Sequence, residues 1–206
     1  MGAVPSRLPV SRLEAFSDAV FAIAITLLVL ELGVSTGAGR DLLHAIVHEW
    51  PSYLAYATSF LTIGVIWVQH SAIVGSLRAA DTTLYRLNLL VLLLASFLPY
   101  PTRLLAEFIG HKGPERVAAV FYGVTLLALG LAVSLLARYA ARLRAEAPGE
   151  VDPATVTALL RESSLGFYGI GIVVSLAFPA AGAITYLASA IARGLPTREV
   201  RQAIDT

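Results

Sequence analysis

The stretch AVFAIAITLLVL, residues 19–30, carries no charge and sits inside an apolar segment running from about Leu13 to Val34, with Arg12 before it and Glu31 near its end. A helix that crosses a bilayer needs about 20 predominantly apolar residues, so this segment crosses if Arg12 and Glu31 lie near the two interfaces. Reading outward, the chain as a whole has the same character: 57% of its 206 residues are hydrophobic and 14% charged, where soluble domains carry about a quarter charged. A bilayer is therefore its solvent. The formal net charge of +1 offers no strong field for nucleic acid or an acidic partner. With no cysteine, a disulfide framework, a thiol nucleophile and a Cys-ligated metal are all excluded.

The competing reading of this segment is a cleavable signal peptide. Arg7 and Arg12 precede the apolar run, and the small residues Gly33, Ser35, Thr36, Gly37, Ala38 and Gly39 follow it. Asp18 argues against that reading, because it interrupts the start of the apolar region.

Five further spans follow. RDLLHAIVHE (residues 40–49) is polar and amphipathic, and Trp50-Pro51 opens a second span from about Tyr53 to Leu77 with an aromatic belt at its start. A third fits Leu84 to about Leu105, where the PYP triplet at Pro99 to Pro101 predicts a kink. A fourth fits Arg116 to about Ala137, before the charged connection RYAARLRAEAPGEVD (residues 138–152). The rest exceeds one crossing and is read as two spans, Thr155 to Phe178 and a shorter Ala180 to Ala192, broken near Pro179. The reading is an all-α membrane protein with six transmembrane helices and a single domain over residues 1–206, leaving no room for a soluble domain.

Six spans put both termini on one side. With the termini cytoplasmic, Arg7, Arg12, Arg78, Arg86, Arg138, Arg142, Arg144, Arg161, Arg193, Arg198 and Arg201 lie inside, and Arg40, Arg103, Lys112 and Arg116 outside. That asymmetry obeys the positive-inside rule. Merging the last two spans would strand the C-terminal arginines outside.

Ionisable residues within spans cost about 2.5–3.5 kcal/mol at the bilayer centre on insertion scales, so each needs a partner or a wet cavity. Asp18 lies roughly 8 Å in from the cytoplasmic end of the first helix, and His70 roughly 10 Å in on the second, at 1.5 Å per residue. Asn88 enters the third at similar depth. A hydrogen-bonded cluster follows, in which a buried Asp18 accepts from His70, Asn88 or the Trp67 indole, with Ser17 and Arg12 nearby. The simpler alternative is that Asp18 complements the helix N-terminus and the other two sit among headgroups. Helical phase places Arg12, Ala19, Ile23, Leu27 and Leu30 within about 40° of one line, with Asp18 on the far side. An apolar stripe of this kind, taken alone, is ordinary packing or lipid contact.

RLEAFSDAVFA (residues 12–22), read as R-x-x-x-F-S-D-x-x-x-A, resembles the opening signature of the transmembrane protein 175 family of potassium channels. WPSYLAYATSF (50–60), IGVIWVQH (63–70) and LNLLVLLLASFLPYPTRLL (87–105) are similar to later family stretches, in the same order. The resemblance covers roughly the first half of the chain; the second half has no motif that matches residue by residue. It implies a six-helix subunit, a homotetramer in bacterial members, and an ion path surrounded by the first helices. It also implies an apolar constriction at Ile23, Leu27 and Leu30 in place of a carbonyl filter, and no TVGYG-like loop occurs here. By the same resemblance Arg12, Phe16, Ser17 and Asp18 belong to the motif and are tied to Trp67, His70 and Asn88. The permeant ion that the resemblance implies is potassium, which sheds water at lower cost than sodium in a ring without ligands. No cofactor and no tight metal site are implied, and the partners are further copies of the chain and the lipid bilayer. Glu31 at the outer end is placed to raise the local cation concentration, or else snorkels to the interface.

Two other functions compete. A proton-coupled secondary transporter would use Asp18 and His70 as a relay, although inverted repeats and midplane broken helices are not evident. An intramembrane metalloenzyme would use His44 and His48, which share a helical face, but His48-Glu49 continues into Pro51 and lacks the second His of H-E-x-x-H. GFYGIG (residues 166–171) has no strand before it, and close helix packing accounts for Gly166, Gly169 and Gly171 better than a nucleotide loop does.

Overall fold

In the computed structural model, residues 9–32, 42–145 and 165–194 are described, and they form helices throughout apart from short connections. The ends of two expected spans, residues 33–34 and 155–164, lie outside the described residues, as do the small residues that would follow a signal peptide and residues 146–152 of the charged connection.

Helix α1 spans Val10–Leu27 and continues as a 3-10 turn, Leu28–Glu31. Its buried residues Val10, Leu13, Ser17, Phe21 and Ala24, with Leu28 beyond them, recur every three or four positions, which is one face of a helix. That face packs on α3 (Trp50–Gly75) and α4 (Thr82–Phe97). Arg12 thus lies inside the helix rather than before it. Helix α2 (Leu42–His48) is the amphipathic segment of the sequence and buries none of its residues.

The third span is two helices. Pro99 and Pro101 lack amide hydrogens, so they cannot continue the ladder of α4. The chain breaks at Leu98 and resumes as α5, Pro99–Phe108. The break is repaired locally: Leu98 N–H donates to Ala95 O at 3.2 Å, and Thr102 gives Leu98 O both its amide (3.1 Å) and its hydroxyl (2.8 Å). At the other end Asp81 caps α4 by accepting from Leu84 N–H at 2.8 Å.

Helix α6 (Pro114–Ala145) extends eight residues past the expected end at Ala137. The apolar pattern stops there, but RYAARLRA consists mostly of strong helix formers, and Ala140 remains buried. Two contacts hold the extension. Tyr139 donates to Asp81 at 2.5 Å, and Arg144 donates to Ile73 O at 3.1 Å. At 32 residues and 1.5 Å per residue, α6 is about 48 Å long, which exceeds the roughly 30 Å hydrocarbon layer.

Helices α7 (Leu165–Ala177) and α8 (Pro179–Gly194) form a hairpin broken at Phe178, beside Pro179 as expected. The hairpin packs on α6 and α3. Here the packing expectation holds for one glycine of three. A Cβ on Gly171 would overlap the Tyr186 ring, whereas Gly166 and Gly169 have nothing within 4 Å. Among the described residues four stretches are long and apolar enough to cross a membrane: Val10–Glu31, Trp50–Gly75, Thr82–Phe108 and Pro114–Arg144. Leu165–Ala177 is apolar but shorter, at 13 residues.

Candidate functional site

The three helices that meet around α1 exchange a directed chain of buried hydrogen bonds. His70 on α3, Asn88 on α4 and Ser17 on α1 are each at most 1% exposed. Asn88 Oδ1 lies 2.5 Å from His70 Nε2, and Asn88 Nδ2 donates to Ser17 Oγ at 3.0 Å. Ser17 in turn donates to Leu13 O one turn back, at 2.8 Å. With the Asn88 amide assigned this way, His70 Nε2 carries the proton, so the bonds run in one sense from α3 through α4 to α1. The Phe21 ring meets the His70 ring edge-on, with centroids 5.2 Å apart. Every polar atom named in this chain has a partner, as burial requires.

Asp18 takes one of its three expected partners, the Trp67 indole, and departs from the sequence reading in not being buried. It is exposed on the flank of α1, and its neighbour Ser17 is the residue facing the core. It accepts a 2.8 Å bond from Trp67 Nε1, and no hydrogen bond joins it to His70 or Asn88. The cluster is thus two separate contacts: a buried Ser17–Asn88–His70 chain and an exposed Asp18–Trp67 pair. The difference follows from phase. At 100° per residue, Asp18 sits about 95° from the centre of the buried face and about 130° from the apolar stripe, so it belongs to neither. Among the described residues no hydrogen bond or ion pair links Arg12 to the cluster, and Phe16 is 54% exposed, outside any aromatic pair.

The face of α1 opposite the core is bare. Ile23 is 59%, Leu27 41% and Leu30 73% exposed. Of the four spans α1 is the least covered by its own chain, with 28% of its apolar window buried against 56% for α6.

A second polar layer, with no counterpart in the sequence motifs, joins α3, α5 and α6. Ser59 on α3 lies 2.7 Å from the Thr102 hydroxyl on α5 and 2.8 Å from that of Tyr122 on α6. The Tyr122 ring stacks obliquely on Tyr186 of α8, centroids 5.5 Å apart. Hydroxyl residues in apolar spans give little sequence signal, because each can instead bond its own helix backbone. His44 and His48 on α2 face each other edge-on, with ring centroids 5.4 Å apart, and among the described residues no group of three or more His, Cys, Asp or Glu is placed to hold a metal.

These features define an all-helical integral membrane protein whose first helix is held by hydrogen bonds on one face and left apolar and uncovered on the other. The chain belongs to the TMEM175 family. The family profile described as "Endosomal/lysosomal potassium channel TMEM175" matches residues 12–99. A Streptomyces collinus protein named as a potassium channel is 40% identical over 171 residues, covering 82% of this chain and 83% of its own. The crystal structure of a lysosomal potassium-selective channel TMEM175 homolog from Chamaesiphon minutus matches with a TM-score of 0.79 at 35% identity, over 89% of this chain and 95% of that one. A Gallus gallus protein named as an endosomal/lysosomal proton channel is 36% identical over 118 residues, which is 53% of this chain and 23% of that protein.

Proposed function

We propose that the chain is one subunit of a potassium-favouring cation channel. Four copies surround a central path, with their α1 helices innermost and the side chains of Ile23, Leu27 and Leu30 directed at the axis. Each subunit contributes six spans within one channel domain: the four long ones and the two helices of the α7–α8 hairpin. Both termini are cytoplasmic in this arrangement, so the Glu31 end of α1 is the outer mouth.

The observation that carries this reading is the exposed apolar face of α1 in a chain so similar to a named potassium channel. An apolar ring has no groups to replace an ion's water and gates by dewetting. The buried Ser17–Asn88–His70 chain gives the ring its rigidity, since it fixes the rotation of α1 about its own axis. The transporter reading is not favoured. A relay needs Asp18 and His70 in contact, and each is bonded elsewhere.

Purified protein in planar bilayers, bathed by unequal potassium and sodium solutions, tests the proposal. The reversal potential is expected near the potassium equilibrium value, and Ile23→Asn should move it toward zero by letting water wet the ring. A reversal potential indifferent to potassium, or an unchanged permeability ratio in Ile23→Asn, contradicts it.

A further inference from the structure

Immediately beyond the apolar stripe, Glu31 ends the 3-10 turn of α1 with its side chain 21% exposed. Arg103 of α5 brings its Nε to 4.0 Å from Glu31 Oε2, and the same atom is 4.0 Å from Oε2 of Glu107, one turn along α5. Around them opens a cavity of about 680 Å³, walled by the 3-10 turn, the adjoining ends of α2, α3 and α5 and the residues after α5, with His48, Glu49 and His111 also in its lining. One guanidinium is thus shared between two carboxylates that face water at the end of the helix proposed to line the ion path. From this geometry we infer that Arg103 sets the charge of the channel mouth, and with it the rate at which cations enter. The inference rests on the channel reading above, and goes beyond it by assigning conductance to a residue outside α1.

The trio of Glu31, Arg103 and Glu107 carries a formal charge of −1. Loss of the arginine charge makes it −2, and loss of either carboxylate makes it zero. Four-fold repetition multiplies the change. For an illustrative trio-to-axis distance of ~10 Å and a Debye length of about 8 Å at 0.15 M salt, four extra negative charges raise the local cation concentration about twofold. At 0.01 M, where the Debye length is about 30 Å, the same charges give roughly sevenfold, and at 1 M almost nothing. A distant mouth charge acts on entry from one side, so it changes rectification and leaves the potassium/sodium ratio, set at the apolar ring, where it was.

Single-channel currents of the full-length protein in symmetric potassium chloride at about 0.01, 0.15 and 1 M read this directly. Arg103→Gln is expected to enlarge current entering from the Glu31 side by those factors. Arg103→Lys, which keeps the charge, should track the wild type. Glu107→Gln, a change at an exposed side chain, should shrink the same current, and this keeps the test open if Arg103→Gln does not assemble. A ratio of variant to wild-type current that does not change with salt in Arg103→Gln or Glu107→Gln, or an Arg103→Lys channel that behaves like Arg103→Gln, overturns the inference while leaving a conducting wild type intact. A wild type that carries no potassium current overturns the channel reading and this inference together.

Discussion

Asn88→Leu isolates the buried hydrogen-bond chain that orients α1. Leu shares Asn's branch point and number of side-chain heavy atoms but is bulkier, so the substitution deletes polar partners and opens no cavity, while adding its own overpacking cost. Ser17 keeps its bond to Leu13 O, whereas His70 Nε2 loses the acceptor at 2.5 Å and stays buried. An orphaned buried donor costs about 1–3 kcal/mol in soluble proteins, and polar contacts between membrane helices are measured at about 0.6–2 kcal/mol. The overlap of those ranges gives about 1.5 kcal/mol. For a chain of this length about 1 kcal/mol corresponds to 2–4 °C, so thermal unfolding in detergent, followed by circular dichroism, should fall by roughly 3–6 °C. His70→Leu costs less, because the Ser17 hydroxyl can swing to Asn88 Oδ1, now 3.3 Å away. The double variant leaves neither group orphaned, so its loss should fall short of the summed single losses by about 1 kcal/mol. Additivity within about 0.5 kcal/mol would show that the two side chains act independently, and the account of how α1 is oriented would fail.

Two more tests address the scaffold. Gly171→Ala sets a methyl group against the Tyr186 ring and should cost about 1–3 kcal/mol of overpacking, while Gly169→Ala, with open space around it, should be neutral or slightly stabilising; equal melting temperatures for the two would refute the packing assignment. At Asp81, burial pulls the carboxyl pKa upward, but bonds from Tyr139 and the Leu84 and Thr83 amides outweigh it and hold the group below its ordinary value. A carboxyl depressed in the folded state adds stability above its unfolded pKa of about 3.9 and loses it as pH falls through the folded value. Tyr139→Phe should therefore melt lower than wild type at neutral pH and converge on it in acid, as melting curves across that range would record; a constant gap would refute the assignment.

How much of this was legible in the sequence depends on the kind of signal. Long charge-free runs located the four spans, and missing amide hydrogens at Pro99, Pro101 and Pro179 located the two breaks, because both effects are local. The apolar pattern ends α6 too early, since an apolar count stops at Arg138 while helix propensity and the contacts of Tyr139 and Arg144 carry the backbone on to Ala145. Depth alone brought Asp18, His70 and Asn88 together; depth carries no information on rotation, and a single 100° step makes Ser17, rather than Asp18, the buried member. The Ser59–Thr102–Tyr122 layer left no trace, because hydroxyls in an apolar span look the same whether they bond a neighbour or their own helix. Glu31 and Arg103 were both assigned to the outer end, but their pairing depends on how α5 leans on the 3-10 turn, which only the tertiary structure shows.

In the proposed assembly the stripe on α1 faces water and ions rather than lipid. The chain contains no cysteine, so Ile23→Cys introduces a single thiol whose surroundings can be probed with silver ion, a cation small enough to follow potassium. Silver added to the bath should block potassium current through Ile23→Cys and leave unaffected a channel carrying Val173→Cys, a residue 67% exposed on α7. Current through Ile23→Cys that persists in silver, at the level of the Val173→Cys control, would place the stripe against lipid and contradict the account.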